Sequence, residues 1–175
     1  EGLIYRGEYL VNWCPRCGTG ISEQEAKEGY KEIDDPGIFI KLPILDRDGE
    51  HLLVRTTTPW TLLANVACAV HPELKYLKVR QGGDDLWLSE DLVGILKEKG
   101  EHEVLEKVAG SALVGLRYRG PFDDLEVPGA TADAHRVIEW DEVASTEGTG
   151  IVHIAPGCGK EDFVLGKKLG LPVIA

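Results

Sequence analysis

The chain has no methionine, and its 175 residues include only two asparagines and two glutamines. Scarce thermolabile side chains beside abundant glutamate match proteins selected for heat. Long apolar runs are missing too. No stretch approaches the ~18 residues a membrane-crossing helix needs. The N-terminus lacks a basic segment followed by a long apolar core, so no secretory signal is expected there. Positive charge is in short supply: 19 Lys and Arg against 30 Asp and Glu give a net charge of −11. That excludes broad non-specific nucleic-acid binding, which rests on cations neutralising phosphates. It leaves room for contact with a short nucleic-acid end. Cysteine is sparse. Four in this length form no disulfide framework, and a reducing cytosol is the expected setting.

What remains is globular in character. A hydrophobic fraction of 43% and a charged fraction of 28% suit one domain with a real core. LIYRGEYLVNW reads as a strand running into CPRCG, and ISEQEAKEGYKEI as partly helical. GIFIKLPIL and HLLVRTTT read as a hairpin around the Asp-Gly of DRDGE. PWTLLAN reads as one or two helical turns, with Thr58 in position to cap and Pro59 in the first turn. VACAVHP, KYLKVRQ and DDLWLS read as strands, the last two joined at GGDD. SEDLVGILKEKG reads as a helix capped by Ser89 and stopped by Gly100. HEVLEKVAG, HRVIEW and GTGIVHIA follow as strands, GKEDFVLGKKLG as a helix and LPVIA as another strand. The fold class is α+β: a β-barrel-like, curled sheet with a few short helices. Strand-like sequence at both ends predicts a piece of a larger chain.

Three stretches carry chemistry. In CPRC, Cys14 and Cys17 have the spacing of half a zinc site; a structural site needs four ligands. Cys68 lies in an apolar strand, where a small buried hydrophobe is the better reading. In HIAPGCGKED, His153 closes a strand and Asp162 falls in the first helical turn, so a strand-to-helix turn aims both toward one cleft. A carboxylate complementing the helix dipole explains Asp162 equally well. Cys158 beside His153 raises a thiol nucleophile with a base, though chain proximity fixes no geometry. In TTTPWTL, Thr56 and Thr58 face one way along a strand and Thr57 the other, and their hydroxyls can bind water, a ribose or an amide. His51, His71, His102 and His135 have no ligand spacing and read as structural or surface residues.

TTTPWTL, then ANVACAVHP, then GTGIVHIAPGCGKEDF together resemble the editing domain of isoleucyl-tRNA synthetases. The opening GLIYRGEYLVNWCPRCGTGISEQE resembles the stretch leading into that domain. The resemblance runs through essentially all of 1–175, weakest between about 80 and 135. Thr58 and Trp60 favour the isoleucyl branch over valyl and leucyl relatives, which usually carry an arginine and an acidic residue there. It implies a single editing domain, a fragment of a larger synthetase, with a strand and half zinc knuckle over 1–20. It implies a hydrolase that removes valine misattached to isoleucine tRNA, as ester or as valyl adenylate. Such a second sieve is needed because one methylene is worth only about 1–3 kcal/mol.

Residue by residue, the resemblance implies that Thr56, Thr57 and Thr58 line the pocket and orient ester, ribose and water. Trp60 would form an apolar wall, and Asn65 would lie near the substrate. His153 would help select valine, and Asp162 would hold the α-ammonium. Editing would need no cofactor. ATP and magnesium belong to the parent's synthetic site, and any structural zinc would be shared with the rest of the parent chain. The implied partners are the aminoacylated 3′ end of isoleucine tRNA, valine, valyl adenylate and the rest of the synthetase. The protein would be a cytoplasmic monomer with no membrane contact. A valyl or leucyl editing domain, or a zinc-knuckle binding module without chemistry, are the alternatives.

Overall fold

In the computed structural model the chain divides into two units, Glu1–Asp35 and Pro36–Ala175. The structure describes residues 2–7, 9–125 and 135–174.

The first unit is small. Strands β1 (Asn12–Cys14) and β2 (Thr19–Ile21) pair antiparallel, with Trp13 opposite Gly20. Helix α1 (Glu23–Glu28) follows. Ser22 and Glu25 form a capping box: the Ser22 hydroxyl accepts the Glu25 N–H at 3.3 Å, and the Glu25 carboxylate accepts the Ser22 N–H at 2.9 Å. No residue of α1 is buried. The strand expected from residue 3 forms only over its last residues. The described residues before Asn12 take no strand partner, and apolar alternation without a neighbouring ladder does not make a strand. Glu8 of that stretch, and Ala175 at the chain's other end, lie outside the described residues.

The second unit holds two sheets. In the larger, β3 (Ile38–Pro43), β4 (Glu50–Thr56), β7 (Asp84–Ser89), β6 (Lys75–Gln81) and β8 (Glu103–Ala109) lie in that order. In the smaller, β5 (Ala67–Val70) is flanked by β10 (Ile151–Ile154) and β9 (Arg136–Glu139). The predicted hairpins β3–β4 and β6–β7 both form. The latter turns on Gly82 and Gly83, whose φ values of 61° and 94° are the left-handed pair a two-residue hairpin loop requires.

The two sheets curl toward each other without closing as one continuous barrel. Backbone hydrogen bonds outside the named strands join their edges. On one side Leu45 N–H donates to the Arg117 carbonyl at 2.8 Å and Tyr118 N–H to that of His135 at 3.3 Å, linking the end of β3 to the start of β9. On the other, Ser89 N–H donates to the Thr149 carbonyl at 2.8 Å, linking β7 to the entry of β10. Gly150 sits at this second join. Its carbonyl accepts the Tyr76 hydroxyl at 2.6 Å, its φ is +73°, and a Cβ there would lie 2.3 Å from that of Ser89.

Leu52, Val54, Cys68, Tyr76, Trp87, Tyr118 and Ile151 fill the space between the sheets. Leu53, Leu77, Val79, Leu86 and Leu88 pack on the other face of the larger sheet, with Leu96 among them. Both faces of β4 are therefore covered, which explains the unbroken apolar run of its sequence. Helix α2 (Lys160–Leu169) buries Phe163 and Leu165 and stops at Gly170, in the left-handed conformation.

Three expectations change. Glu90–Lys99 is a 3-10 helix, and the Ser89 side chain does not cap it. Gly94 at its middle weakens α-helix, and of its apolar residues Leu92, Val93, Ile95 and Leu96 only Leu96 is buried. Pro59–Ala64 is also a 3-10 helix, and the Thr58 side chain does not cap it. Residues 171–174 form no strand; Leu171 and Ile174 bury against β5 and α2 instead. Among the described residues, no helix is long and apolar enough to cross a membrane.

Candidate functional site

Strand β4 ends at Thr56, which alternation turns inward; it is buried while Thr57 is exposed. Pro59 then forces the chain into the 3-10 helix. Its i→i+3 geometry brings Thr61 back over Thr58: Thr61 N–H donates to the Thr58 carbonyl at 3.0 Å. The hydroxyls fall into a row. Thr56 Oγ1 lies 3.3 Å from Thr58 Oγ1, which lies 3.2 Å from Thr61 Oγ1. Thr56 Oγ1 also accepts the Thr58 N–H at 3.1 Å, which uses the threonine that was expected to act as a cap.

Strand β10 brings in the imidazole. Its antiparallel register sets His153 opposite Cys68, and His153 Nε2 reaches Thr61 Oγ1 at 3.0 Å. Residues 92 apart in sequence thereby close one polar row. His153 Nδ1 is buried with no hydrogen-bond partner. Burial lowers the His153 pKa, with the Asp162 charge opposing it, so the ring is neutral near pH 7.

Asp162 stands in the first turn of α2. One carboxylate oxygen accepts the Ala155 N–H at 2.8 Å, which ties the helix start to the end of β10. Burial raises the Asp162 pKa, and Glu161 adds to this. The Ala155 N–H and His153 act the other way. A carboxylate has about four acceptor positions, so Asp162 retains capacity for a cation.

Two residues expected at the substrate lie differently. Trp60 is 66% exposed because Leu62 and Ala64 take the inward positions of the 3-10 helix; it stands on the surface rather than forming a closed wall. Asn65 is buried behind the row. Its Nδ2 donates to the Ala67 carbonyl at 2.9 Å, and its Oδ1 accepts the Tyr118 hydroxyl at 2.7 Å. His135 Nε2 donates to the Asn65 carbonyl at 2.9 Å. His135 Nδ1 lies 3.0 Å from Asp123 Oδ1, near enough for an ion pair but misaligned for a hydrogen bond. Asn65 thus anchors the end of the helix that carries Thr61. Tyr118 and His135 support it, and their separate sequence positions gave no sign of this. Thr61, three residues after Thr58, was recoverable from helical spacing.

Cys158 does not fit a nucleophile. Burial and then the Asp162 charge raise its pKa, which depletes the reactive thiolate. Cys14 and Cys17 share one tight turn: Cys17 N–H donates to Cys14 Sγ at 3.3 Å, and Gly18 N–H to the Cys14 carbonyl at 2.8 Å. The Cys17 backbone N–H, and then its thiol, lower the Cys14 pKa. Two sulfurs suit half a tetrahedral site, and among the described residues no cluster of three metal-binding side chains exists.

No family model matches the chain. Individual proteins do. It is 48% identical over 175 residues to the isoleucine–tRNA ligase of Methanothermobacter thermautotrophicus, and 43% over 187 residues to that of Pyrococcus horikoshii, in each case across 99% of its length. Over nearly its whole length the chain is similar to a segment of isoleucine–tRNA ligases. It spans only 16% and 17% of those two ligases. Among solved structures, GlLeuRS-CP1 matches with a TM-score of 0.65 at 21% identity, over 77% of this chain and 60% of that one. The editing domain of the P. knowlesi cytosolic leucyl-tRNA synthetase matches at 0.62 and 15%, over 77% and 62%. The chain therefore has the α+β fold of synthetase editing domains.

Proposed function

We propose that this segment is the hydrolytic editing site of its ligase and clears valine from mischarged isoleucine tRNA, or from valyl adenylate. The observation that carries the reading is the row of threonine hydroxyls closed by His153, beside the Asp162 carboxylate at the start of α2.

An aminoacyl ester is already activated, so catalysis reduces to holding ester and water together. Asp162 binds the α-ammonium. Burial raises its pKa, and an arriving cation favours its ionised form. Thr56 and Thr58 offer hydroxyls to the ester and the terminal ribose, with Thr57 exposed at the same strand end. His153 contributes a buried wall and admits the smaller side chain; overpacking by one extra methylene costs about 1–3 kcal/mol. Trp60, being exposed, meets the substrate only as part of a surface that the tRNA end covers. Asn65 acts from behind, through the helix it anchors.

The partners are then the aminoacylated 3′ end of isoleucine tRNA and the rest of the ligase, in the cytoplasm. The net charge of −11 leaves most phosphate contacts to other parts of the enzyme. The Cys14–Cys17 knuckle supplies two ligands to a zinc ion completed by the parent chain.

The test is hydrolysis of Val-tRNA(Ile) against Ile-tRNA(Ile) by the intact ligase. Asp162→Asn keeps an acceptor for Ala155 but loses the charge. Valine clearance should fall at least about thirtyfold with aminoacylation intact. Unchanged clearance returns Asp162 to a helix-capping role and removes the reading.

A further inference from the structure

The larger sheet carries a second opening, on the face of β4 that turns away from the space between the sheets. Leu53, Leu86 and Leu96 floor a cavity of about 290 Å³, and Phe39, 46% exposed, forms one wall. Two polar side chains share its rim. Lys41 is paired with Asp84 at 2.6 Å. Gln81 Nε2 donates to the carbonyls of Leu96 at 3.0 Å and of Gly100 at 3.3 Å. Carbonyls only accept, so both amide hydrogens are taken and the amide cannot be turned over. Gln81 Oε1 is left as an acceptor with no donor among the described residues. Arg55 stands directly across the β3–β4 ladder from Phe39. Its guanidinium lies against Gly37, where a Cβ would meet Nη2 at 3.0 Å, and it pairs with no carboxylate among the described residues.

An apolar slot with a ring at one wall, a lone acceptor at its rim and an unpaired guanidinium beside it fits a nucleotide. Base faces stack on aromatic side chains, and guanidinium pairs with phosphate. The acceptor chooses the base. Cytosine offers it an amino group, whereas uracil sets a carbonyl oxygen against Oε1, lone pair to lone pair. A plain hydrocarbon would leave Oε1 unmet as well. The slot also lies close to the threonine row. Alternation puts Leu53 and Arg55 on its face of β4 and Thr56 on the other. The strand ends there, with Thr57 exposed just beyond. Leu53 to Thr56 is roughly 10 Å of strand, so a nucleotide joined to a ribose at the row reaches the slot by rounding the end of β4. We propose that the slot holds the cytosine that precedes the terminal adenosine of the aminoacylated tRNA. Phe39 lies against the base, Gln81 accepts its amino group and Arg55 meets the phosphate. The editing reading supplies the RNA that arrives; the nucleotide site itself does not depend on it. An acidic chain thereby grips one nucleotide through a single local cation and a stacking wall.

Two measurements test it. NMR of leucine methyl groups in the 175-residue chain, titrated with CMP, UMP and cytidine, reads the site directly. CMP should shift Leu53, Leu86 and Leu96, and UMP should bind about tenfold more weakly. Cytidine should bind more weakly than CMP in the wild type and equally in Arg55→Gln. Phe39→Ala should remove the shifts. No shift with CMP, or equal binding of CMP and UMP, overturns the site. In the intact ligase, Phe39→Ala should raise the KM for clearing Val-tRNA(Ile) about tenfold with kcat unchanged. Valyl-adenosine lacks the preceding nucleotide, so wild type and Phe39→Ala should clear it equally. An unchanged KM for Val-tRNA(Ile) overturns tRNA as the occupant, and equal losses on both substrates make Phe39 structural and overturn its role. Failure of the wild-type ligase to clear valine would instead remove the editing reading, and the CMP titration would still decide the slot.

Discussion

Trp13 and Trp87 each sit in a strand of an antiparallel hairpin, yet one is 60% exposed and the other 1%. Trp13 has a glycine opposite and nothing beyond a second strand. Trp87 lies in the central strand of five. Its indole N–H donates to Glu50 at 2.9 Å, and the Lys78 ammonium stands 5.6 Å from its ring. The same contrast runs through both units. In the first, Leu3, Ile4, Tyr5, Tyr9, Val11 and Tyr30 are all exposed, and a two-stranded ribbon with a short helix cannot cover them. In the second, two curled sheets bury three apolar clusters. Burial here follows from how many neighbours an element has, not from how apolar its side chains are.

The largest effect should separate the two units by stability. Leu52, fully buried in β4, should cost about 2–5 kcal/mol when changed to alanine, read from the urea midpoint of the 175-residue chain. Trp13→Ala should stay within about 0.5 kcal/mol. Equal shifts would break the comparison.

A smaller effect is electrostatic. Of the shifted acids of the first unit, Cys14 is half-buried and Glu25 exposed, whereas burial is the main cause of the shifts at His153 and Asp162. The His153 pKa is lowered below its ordinary 6.5. As pH falls below 6.5 the unfolded chain takes up that proton first, so stability is lost until the folded-state pKa is passed. The Asp162 pKa is raised above 3.8, so the sign reverses. The fold takes up that proton first, and stability is regained as pH falls from the folded-state pKa toward 3.8. Urea unfolding across this range should show His153→Gln without the first leg and Asp162→Asn without the second. Identical profiles in all three proteins would show that neither group is coupled to folding.

The smallest effect should come from zinc. Titration calorimetry should find weak binding that Cys14→Ser abolishes, because two thiolates complete only half a site. The unfolding midpoint of the second unit should not move. A zinc-dependent rise there would join what the comparison keeps apart.

Much of this was legible in sequence, for local reasons. The hairpins announced themselves through Asp-Gly and Gly-Gly turns, and GKEDFVLGKKLG read as the helix that α2 forms. The threonine row, His153 and Asp162 were legible because each closes or opens an element, where side chains gather. The failures share a cause. Thr58 looked like a cap because Pro59 follows it, but Thr61 and Thr56 compete for its hydroxyl, and that competition exists only once the turn is tight. Ser89 looked like a cap for a helix that is wound as 3-10. Asn65 was placed near the substrate, and its partners Tyr118 and His135 arrive from segments 53 and 70 residues away. No spacing rule reaches that far.

Gly150 has a history written into its surroundings. Its backbone conformation alone disfavours any other residue, and the Ser89 side chain leaves no room for one. Either obstacle would suffice. A lineage that trims position 89 to glycine gains nothing at 150 while the backbone turn persists, and one that relaxes the turn still meets the serine. Two changes must come together before this position can drift, so it should remain fixed long after the surfaces around it have diverged.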